Sequence, residues 1–241
     1  MNVIVLGAGI GGLTMARMLH ARGIPVRVFE STRALRPLGV GINVQPSAVA
    51  ELALIGLLDR MGEVGVKTAE VCYFNRHGQL IWREPRGMAA GYRVPQFSIH
   101  RGEMQMLLLK AVLERLGPDA VASGWEAVSV DPDRGSVTLR PADGGADRVE
   151  RADVIVSADG IHSAVRRQFY PDEGLPVYSG RILWRATTVG APFLTGASMV
   201  MAGHANQKLV TYPISKKLAD EGRSLINWIA ELIGWMARRW L

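Results

Sequence analysis

The run NVIVLGAGIGGLTMARMLHARGIPVRVFE, residues 2–30, constrains this chain more than any other part of it. Residues 3–6 are a short apolar run of the kind buried on both faces of a parallel sheet. Gly7, Gly9 and Gly12 then complete a G-x-G-x-x-G turn. Gly7 permits the tight bend, Gly9 lets backbone approach a pyrophosphate, and Gly12 lets the following helix pack close to the strand. That helix, over 11–22, directs its dipole and the N–H groups around Ile10 and Gly11 at the phosphates. A second strand over 26–29 ends at Glu30, whose carboxylate can accept hydrogen bonds from both hydroxyls of a ribose. An acid there disfavours a 2′-phosphate, so FAD or NAD fits better than NADP. A strand before the turn, a helix after it and an acid about 20 residues on separate this motif from a chance glycine cluster. The pattern defines a dinucleotide-binding βαβ unit without choosing the dinucleotide.

Bulk properties narrow the class. A chain of 241 residues can bury a real core as one large domain or two small ones. Its apolar content of 48% and charged content of 21% are those of a soluble globular protein. The single cysteine, Cys72, excludes an internal disulfide and a cysteine-based zinc cluster. It lies in the apolar run 71–74 and reads as a buried structural thiol. No apolar stretch approaches the ~18 residues of a membrane-spanning helix. The N-terminal apolar run is the first strand of the glycine motif rather than a signal peptide, so a cytoplasmic location is expected. The formal charge of +6 raises a nucleic-acid partner, but the arginines are scattered and no basic run is interleaved with aromatics. Lys216-Lys217, Arg166-Arg167 and Arg238-Arg239 are isolated pairs. No nucleic-acid partner is expected; a bound pyrophosphate and an acidic substrate account for the balance.

Periodicity predicts one helix over 47–61, with Val49, Leu52, Ala53 and Leu57 on a single stripe. A hairpin is expected from 70–74 and 79–82, turning at Arg76-His77-Gly78, then a strand over 95–99 and a strong amphipathic helix over 101–116. Short strands are expected over 120–122, 127–130, 137–140 and 148–151, and a buried parallel strand over 153–157. The β pattern resumes over 182–189, 198–202 and 209–212.

The second informative stretch is VIVSADGIHSAVRRQF, residues 154–169. A strand runs into Asp159-Gly160, Ser163 is a fitting N-cap, and Arg166 falls one turn into the helix that follows. Together with Gly7 to Gly12 and Glu30, these residues resemble, in order and spacing, the N-terminal part of the group A flavoprotein aromatic monooxygenases, the single-component FAD hydroxylases. PLGVGINVQPSA (37–48) and SIHRGEMQMLL (98–108) resemble that family too, and EPRG (84–87) and YPIS (212–215) resemble its phenazine-1-carboxylate monooxygenase-like members. The likeness runs from residue 1 to about 230.

This resemblance implies an α/β fold: a Rossmann-like FAD-binding domain of the glutathione-reductase type, interleaved with a β-rich substrate domain. The first would comprise 1–69 and 99–175, the second 70–98 and 176–241. FAD would be tightly bound, with Gly7, Gly9, Ile10, Gly11, Gly12 and Glu30 at its ADP half. Arg101 would meet the phosphate and ribityl region, and its charge at a helix start is unfavourable without an anion there. Ala127 resembles the residue whose backbone meets the adenine. The segment 39–43, with Gly41, resembles the one beside the isoalloxazine, where glycine allows close approach. Asp159 in this family lies near FAD and is implicated in NAD(P)H use; it reads equally as a turn aspartate. Arg166 reads as a tie for the Asp-Gly loop or as an ordinary helix residue. His100 could line the flavin edge or serve as a structural imidazole, His162 suits a turn, and His77 and His204 suit loops.

The implied reaction consumes NADH or NADPH as a transient co-substrate and O2, and hydroxylates a small aromatic, acidic or phenolic ring. No side-chain nucleophile is required, and no metal is expected, since no histidine and acid cluster has ligand spacing. Tyr212, Trp184 and Met201 are candidates to face the substrate, though each reads first as a core residue.

The family pattern fades toward the end of the chain. Relatives carry a second acidic motif, Gly-Asp-Ala-Ala-His, which these residues do not contain. SLINWIA (224–230) resembles a substrate-domain strand, yet Leu225, Ile229, Leu232, Met236 and Trp240 also share one helical face. A strand over 225–230 followed by a helix is expected, with Trp228, Trp235 and Trp240 exposed and driving self-association. The sequence thus reads as a truncated, frameshifted or divergent FAD-dependent monooxygenase. The alternative is a FAD- or nucleotide-binding fragment without turnover. An NAD-dependent dehydrogenase fits less well, because no proton-relay residue follows the nucleotide unit.

Overall fold

The computed structural model describes residues 1–233; the helix expected after the last strand, and with it Trp235, Met236 and Trp240, lies outside them. The chain divides into two compact units, 1–37 with 105–175 and 38–104 with 176–241. Residues 38–69 and 99–104 group with the second unit, whereas the family resemblance places them in the cofactor domain. Their strands, Gly41–Val44, Val66–Thr68 and Gln96–His100, pair with one another in a separate antiparallel sheet.

The first unit is built on a parallel sheet of four strands in the order Val154–Ser157, Val3–Leu6, Val26–Glu30, Val121–Ser123. Val3–Leu6 is buried along its whole length, as a central strand covered on both faces must be. Val154–Ser157 is the edge strand instead, and Val154 is 43% exposed, so the expectation of a fully buried strand there fails. A reciprocal pair fixes its start: Asn2 N–H donates to Asp153 Oδ2 (2.6 Å) and Asp153 N–H to Asn2 Oδ1 (2.8 Å). The helix Ile10–Ala21 leaves the glycine turn and stops at Gly23, where φ is +71°. There Ile24 N–H reaches Leu19 O and Gly23 N–H reaches His20 O, closing the helix with paired carbonyls.

A three-stranded antiparallel sheet, Arg148–Arg151, Ser136–Pro141 and Trp125–Asp131, packs Val137 and Leu139 into a core with Ile4, Leu6, Phe29 and Val165. The helix Ala164–Phe169 is tied to it by Gln168, whose amide exchanges hydrogen bonds with Val130 N–H (2.9 Å) and Val130 O (2.6 Å).

The second unit holds a six-stranded sheet in the order Arg181–Gly190, Ser224–Ile233, Gln207–Pro213, Ser198–His204, Glu70–Phe74, Leu80–Pro85. The hairpin expected near residue 76 is its Glu70–Leu80 corner. Ser224–Ile233 pairs along its length with Arg181–Gly190 on one side and with Gln207–Pro213 on the other. Strand therefore continues through Leu232, past the point where helix was expected, because two partner strands satisfy its backbone. The single helix expected over 47–61 is two, Pro46–Leu54 and Leu58–Val64. Gly56, at φ +76°, breaks it, with Leu57 N–H bonded to Leu52 O and Gly56 N–H to Ala53 O. Cys72 is fully buried, and that burial pushes its thiol pKa up. No helix among the described residues is long and apolar enough to cross a membrane.

Candidate functional site

Gly7 takes φ +99°, and a Cβ there would stand 2.5 Å from Ala158 O. Gly12 is tighter still: its Cβ would lie 1.9 Å from Gly7 O and 3.2 Å from the Val5 side chain. The protein itself demands glycine at both positions. Gly9 and Gly11 differ, for a Cβ at either meets no atom within 4 Å, and Gly9 has ordinary extended angles (φ −70°, ψ 179°). Nothing among the described residues requires glycine at 9; an outside group approaching the backbone would. The first intrahelical bond runs from Leu13 N–H to Gly9 O, leaving Ile10, Gly11 and Gly12 N–H without helical acceptors. An open backbone surface with unpaired N–H groups at the positive end of a helix dipole is an anion cradle.

Glu30 closes this arrangement. Its Oε2 accepts Ala8 N–H (2.8 Å), and its Oε1 accepts Thr32 N–H (2.8 Å) and the Ser31 and Thr32 hydroxyls. Burial works to raise its pKa, but these hydrogen bonds outweigh it and hold the carboxyl below its usual range. Glu30 is thus a preorganised carboxylate next to the turn. Ala8, on which the sequence reading was silent, connects both sides of it, since its carbonyl also accepts Gln105 Nε2–H at 2.8 Å. Only the chain path, not local composition, could have shown this.

Asp159 lies with this group: its Cα would be 3.1 Å from a Gly7 Cβ. The carboxylate accepts Ala164 N–H (3.2 Å) and the Ser157 hydroxyl, while Ser163 Oγ caps the same helix by accepting Arg166 N–H at 2.9 Å. Asp159 therefore serves the turn in this structure. Arg166 does not tie the Asp-Gly loop through its side chain, which pairs instead with Glu173 (2.9 Å). Ala127 sits on the strand Trp125–Asp131, packed against the Phe29 and Leu139 core, beside a bulge at Val128.

Gly41 and Arg101 belong to the second unit. A Cβ on Gly41 would come within 2.7 Å of Tyr212 and 2.8 Å of Asn227, and Gly41 N–H donates to Asn227 Oδ1 (2.8 Å). Packing alone requires glycine there, a demand from strands more than 165 residues along the chain, which no local pattern around Gly41 signals. Arg101 opens the helix Arg101–Leu116, its N–H donating to Val40 O (2.9 Å) and its side chain lying along Gly39. Among the described residues its exposed guanidinium has no ion pair or hydrogen bond. His100 Nδ1 accepts Glu103 N–H at 3.3 Å, a structural cap on that helix.

The three residues expected to face a substrate do not share one face. Trp184 stands opposite Ala230, which opposes Leu209, which opposes Ala202. Met201 is next to Ala202 in its strand and so points to the other side, with Tyr212. Tyr212 is 3% exposed, and burial raises its pKa; Trp184 is 47% exposed.

The turn, its open Gly9 and the ionised Glu30 define a dinucleotide-binding α/β domain whose acid suits an unphosphorylated ribose. Comparison with known proteins agrees. The model of the FAD binding domain family matches residues 1–211. A phenazine 1,6-dicarboxylic acid hydroxylase of Lysobacter antibioticus is 46% identical over 236 residues, covering 95% of this chain and 57% of that protein. A 6-hydroxynicotinate 3-monooxygenase of Pseudomonas fluorescens is 31% identical over 230 residues, covering 91% and 57%. Among solved structures, HpxO of Klebsiella pneumoniae, complexed with FAD and uric acid, has a TM-score of 0.75 at 25% identity, covering 96% of this chain and 56% of that one. The chain belongs to the FAD binding domain family, and the relatives it resembles are named as hydroxylases and monooxygenases. It spans little more than half the length of the relatives it matches.

Proposed function

We propose that this chain binds FAD at the glycine turn and acts in the hydroxylation of a small aromatic, acidic or phenolic ring, using O2 and NADH or NADPH. The cradle carries the reading: three unpaired N–H groups and an unfilled Gly9 beside a preorganised carboxylate. FAD supplies hydride uptake and oxygen transfer when bound. The chain's residues bind and orient. Ile10, Gly11 and Gly12 N–H hold the pyrophosphate, with Gly7 and Gly9 keeping the backbone clear. Glu30 accepts the ribose hydroxyls, Ala127 backbone meets the adenine, and Arg101 brings charge to the phosphate and ribityl region. Gly41 borders the ring system, and Asp159 holds its loop against Gly7 near the cofactor. In this reading 1–69 and 99–175 serve FAD, and 70–98 with 176–241 serve the substrate. The names of the phenazine dicarboxylic acid and hydroxynicotinate relatives support an acidic aromatic substrate.

The test is NADH and NADPH oxidation by the FAD-loaded chain, with and without an aromatic acid. Acid-stimulated oxidation supports turnover. Bound FAD with no stimulated oxidation supports the second reading, binding without turnover. A cytoplasmic location and self-association through the apolar end of the chain belong to the same proposal. Light scattering checks the latter, and a monodisperse monomer contradicts it.

A further inference from the structure

The face of the six-stranded sheet that carries Tyr212 leaves one charge unpaired. Arg185 stands opposite Ile229, which opposes Val210, which opposes Met201, so the arginine ends an apolar row. Tyr212 belongs to the next row on the same face, two residues from Val210 and opposite Asn227. Of the cations on this face, Arg181 and Lys208 both pair with Glu231, the latter at 3.4 Å. Arg185 is exposed, and among the described residues its guanidinium has no ion pair or hydrogen bond. Tyr212 is 3% exposed, yet its hydroxyl makes no hydrogen bond among the described residues either. Unlike Nδ2 of the adjacent Asn227, that oxygen is not sealed from solvent. Burial pushes the hydroxyl pKa up and the Arg185 charge pulls it back, so the two groups lie within each other's field. Gly41, which the reading above sets at the ring system of the cofactor, is pressed against the same Tyr212 and Asn227.

We propose that Arg185 is a specificity-determining residue for the aromatic substrate, its guanidinium gripping the ring carboxylate with the Tyr212 hydroxyl as a second donor. The inference rests on the monooxygenase reading above and assigns the acid-binding end of that site to this sheet face. A guanidinium presents a planar fork of N–H donors that matches a carboxylate. The apolar row from Ile229 to Met201 offers the ring of the same molecule a surface, softened by the thioether. Glu231, the acid nearest along the strand, is already held by two cations and does not compete for Arg185. The subsite therefore presents donors without an acceptor of its own charge. A carboxylate satisfies both groups, whereas an amide in its place brings no charge and turns an NH2 toward the fork. A site built only of donors discriminates against the isostere that donates.

Phenazine-1-carboxylate and phenazine-1-carboxamide share ring and shape and differ in that one group. Their binding to the whole chain is measured by calorimetry at neutral pH, with FAD loaded and without it. The FAD-loaded chain should bind the acid about tenfold more tightly than the amide. Arg185→Gln should cut that preference to about twofold or less, weakening the acid while the affinities for the amide and for FAD stay unchanged. Arg185→Lys, which keeps the charge without the fork, should hold a preference of about three- to fivefold and carries the test if Arg185→Gln does not fold. Tyr212→Phe should weaken the acid about threefold. A parent chain with no preference overturns the proposal, as does a full preference that survives either Arg185 variant. Equal weakening of acid and amide in Arg185→Gln marks a structural role and overturns it too, and an acid affinity unmoved by Tyr212→Phe overturns the paired subsite. Failure to take up FAD, by contrast, refutes the monooxygenase reading, and the FAD-free titrations still report on Arg185.

Discussion

Gly9 and Gly12 look equivalent in the motif but answer to different partners, and alanine at each should separate binding from folding. At Gly12 the new Cβ would be 1.9 Å from Gly7 O, a backbone atom that cannot swing aside. The helix must move off its strand, which overpacking data place at about 3 kcal/mol or more. In a chain of this size that lowers the thermal midpoint by about 6–12 °C. At Gly9 the Cβ meets nothing within 4 Å and φ is already −70°, so stability should change by less than about 1 kcal/mol, in the stabilising direction. The space the methyl takes is where a pyrophosphate would approach, so one or two charge-assisted hydrogen bonds are lost, a 10- to 100-fold fall in FAD affinity or about 1.4–3 kcal/mol. Thermal melts and FAD fluorescence titrations of the two variants decide it. Gly9→Ala binding FAD as well as the parent, or melting as early as Gly12→Ala, refutes the reasoning.

Glu30 has its pKa lowered on folding, so its contribution to stability is complete above about pH 4.3 and is lost as pH falls through the lowered value. Glu30→Gln should therefore flatten the acid limb of a plot of urea midpoint against pH, and coincident limbs would contradict this. Ser163→Ala removes the cap on Arg166 N–H and should cost about 1 kcal/mol in urea unfolding, whereas Arg166→Ala, breaking a half-exposed pair, should cost less than about 0.5 kcal/mol. Arg101→Ala breaks no described contact of its guanidinium; FAD titration should show weaker binding at an unchanged melting temperature.

The parts of the fold legible in the sequence are those whose causes are local. Residues 3–30 carry their own strand, turn, helix and acid, and the helix Arg101–Leu116 carries its apolar stripe and closing Gly117. Gly56 alone does not end a helical stripe, since one glycine there is tolerated; what decides is Leu57 N–H finding Leu52 O. Leu225, Ile229 and Leu232 fit a helical period, yet strand pairing on both sides overrules it. The same long-range origin hid much of the site. The need for glycine at 41 comes from Tyr212 and Asn227, and no spacing within its own segment encodes that meeting.

If the glycine turn with Glu30 holds FAD, the flavin stays with the protein. The most direct measurement is the visible spectrum of the purified chain, desalted after addition of FAD. Oxidised flavin with its two absorbance bands should be retained at about one per chain and be lost in Gly9→Ala. A colourless chain at high added FAD, folded by its melting curve, would contradict it.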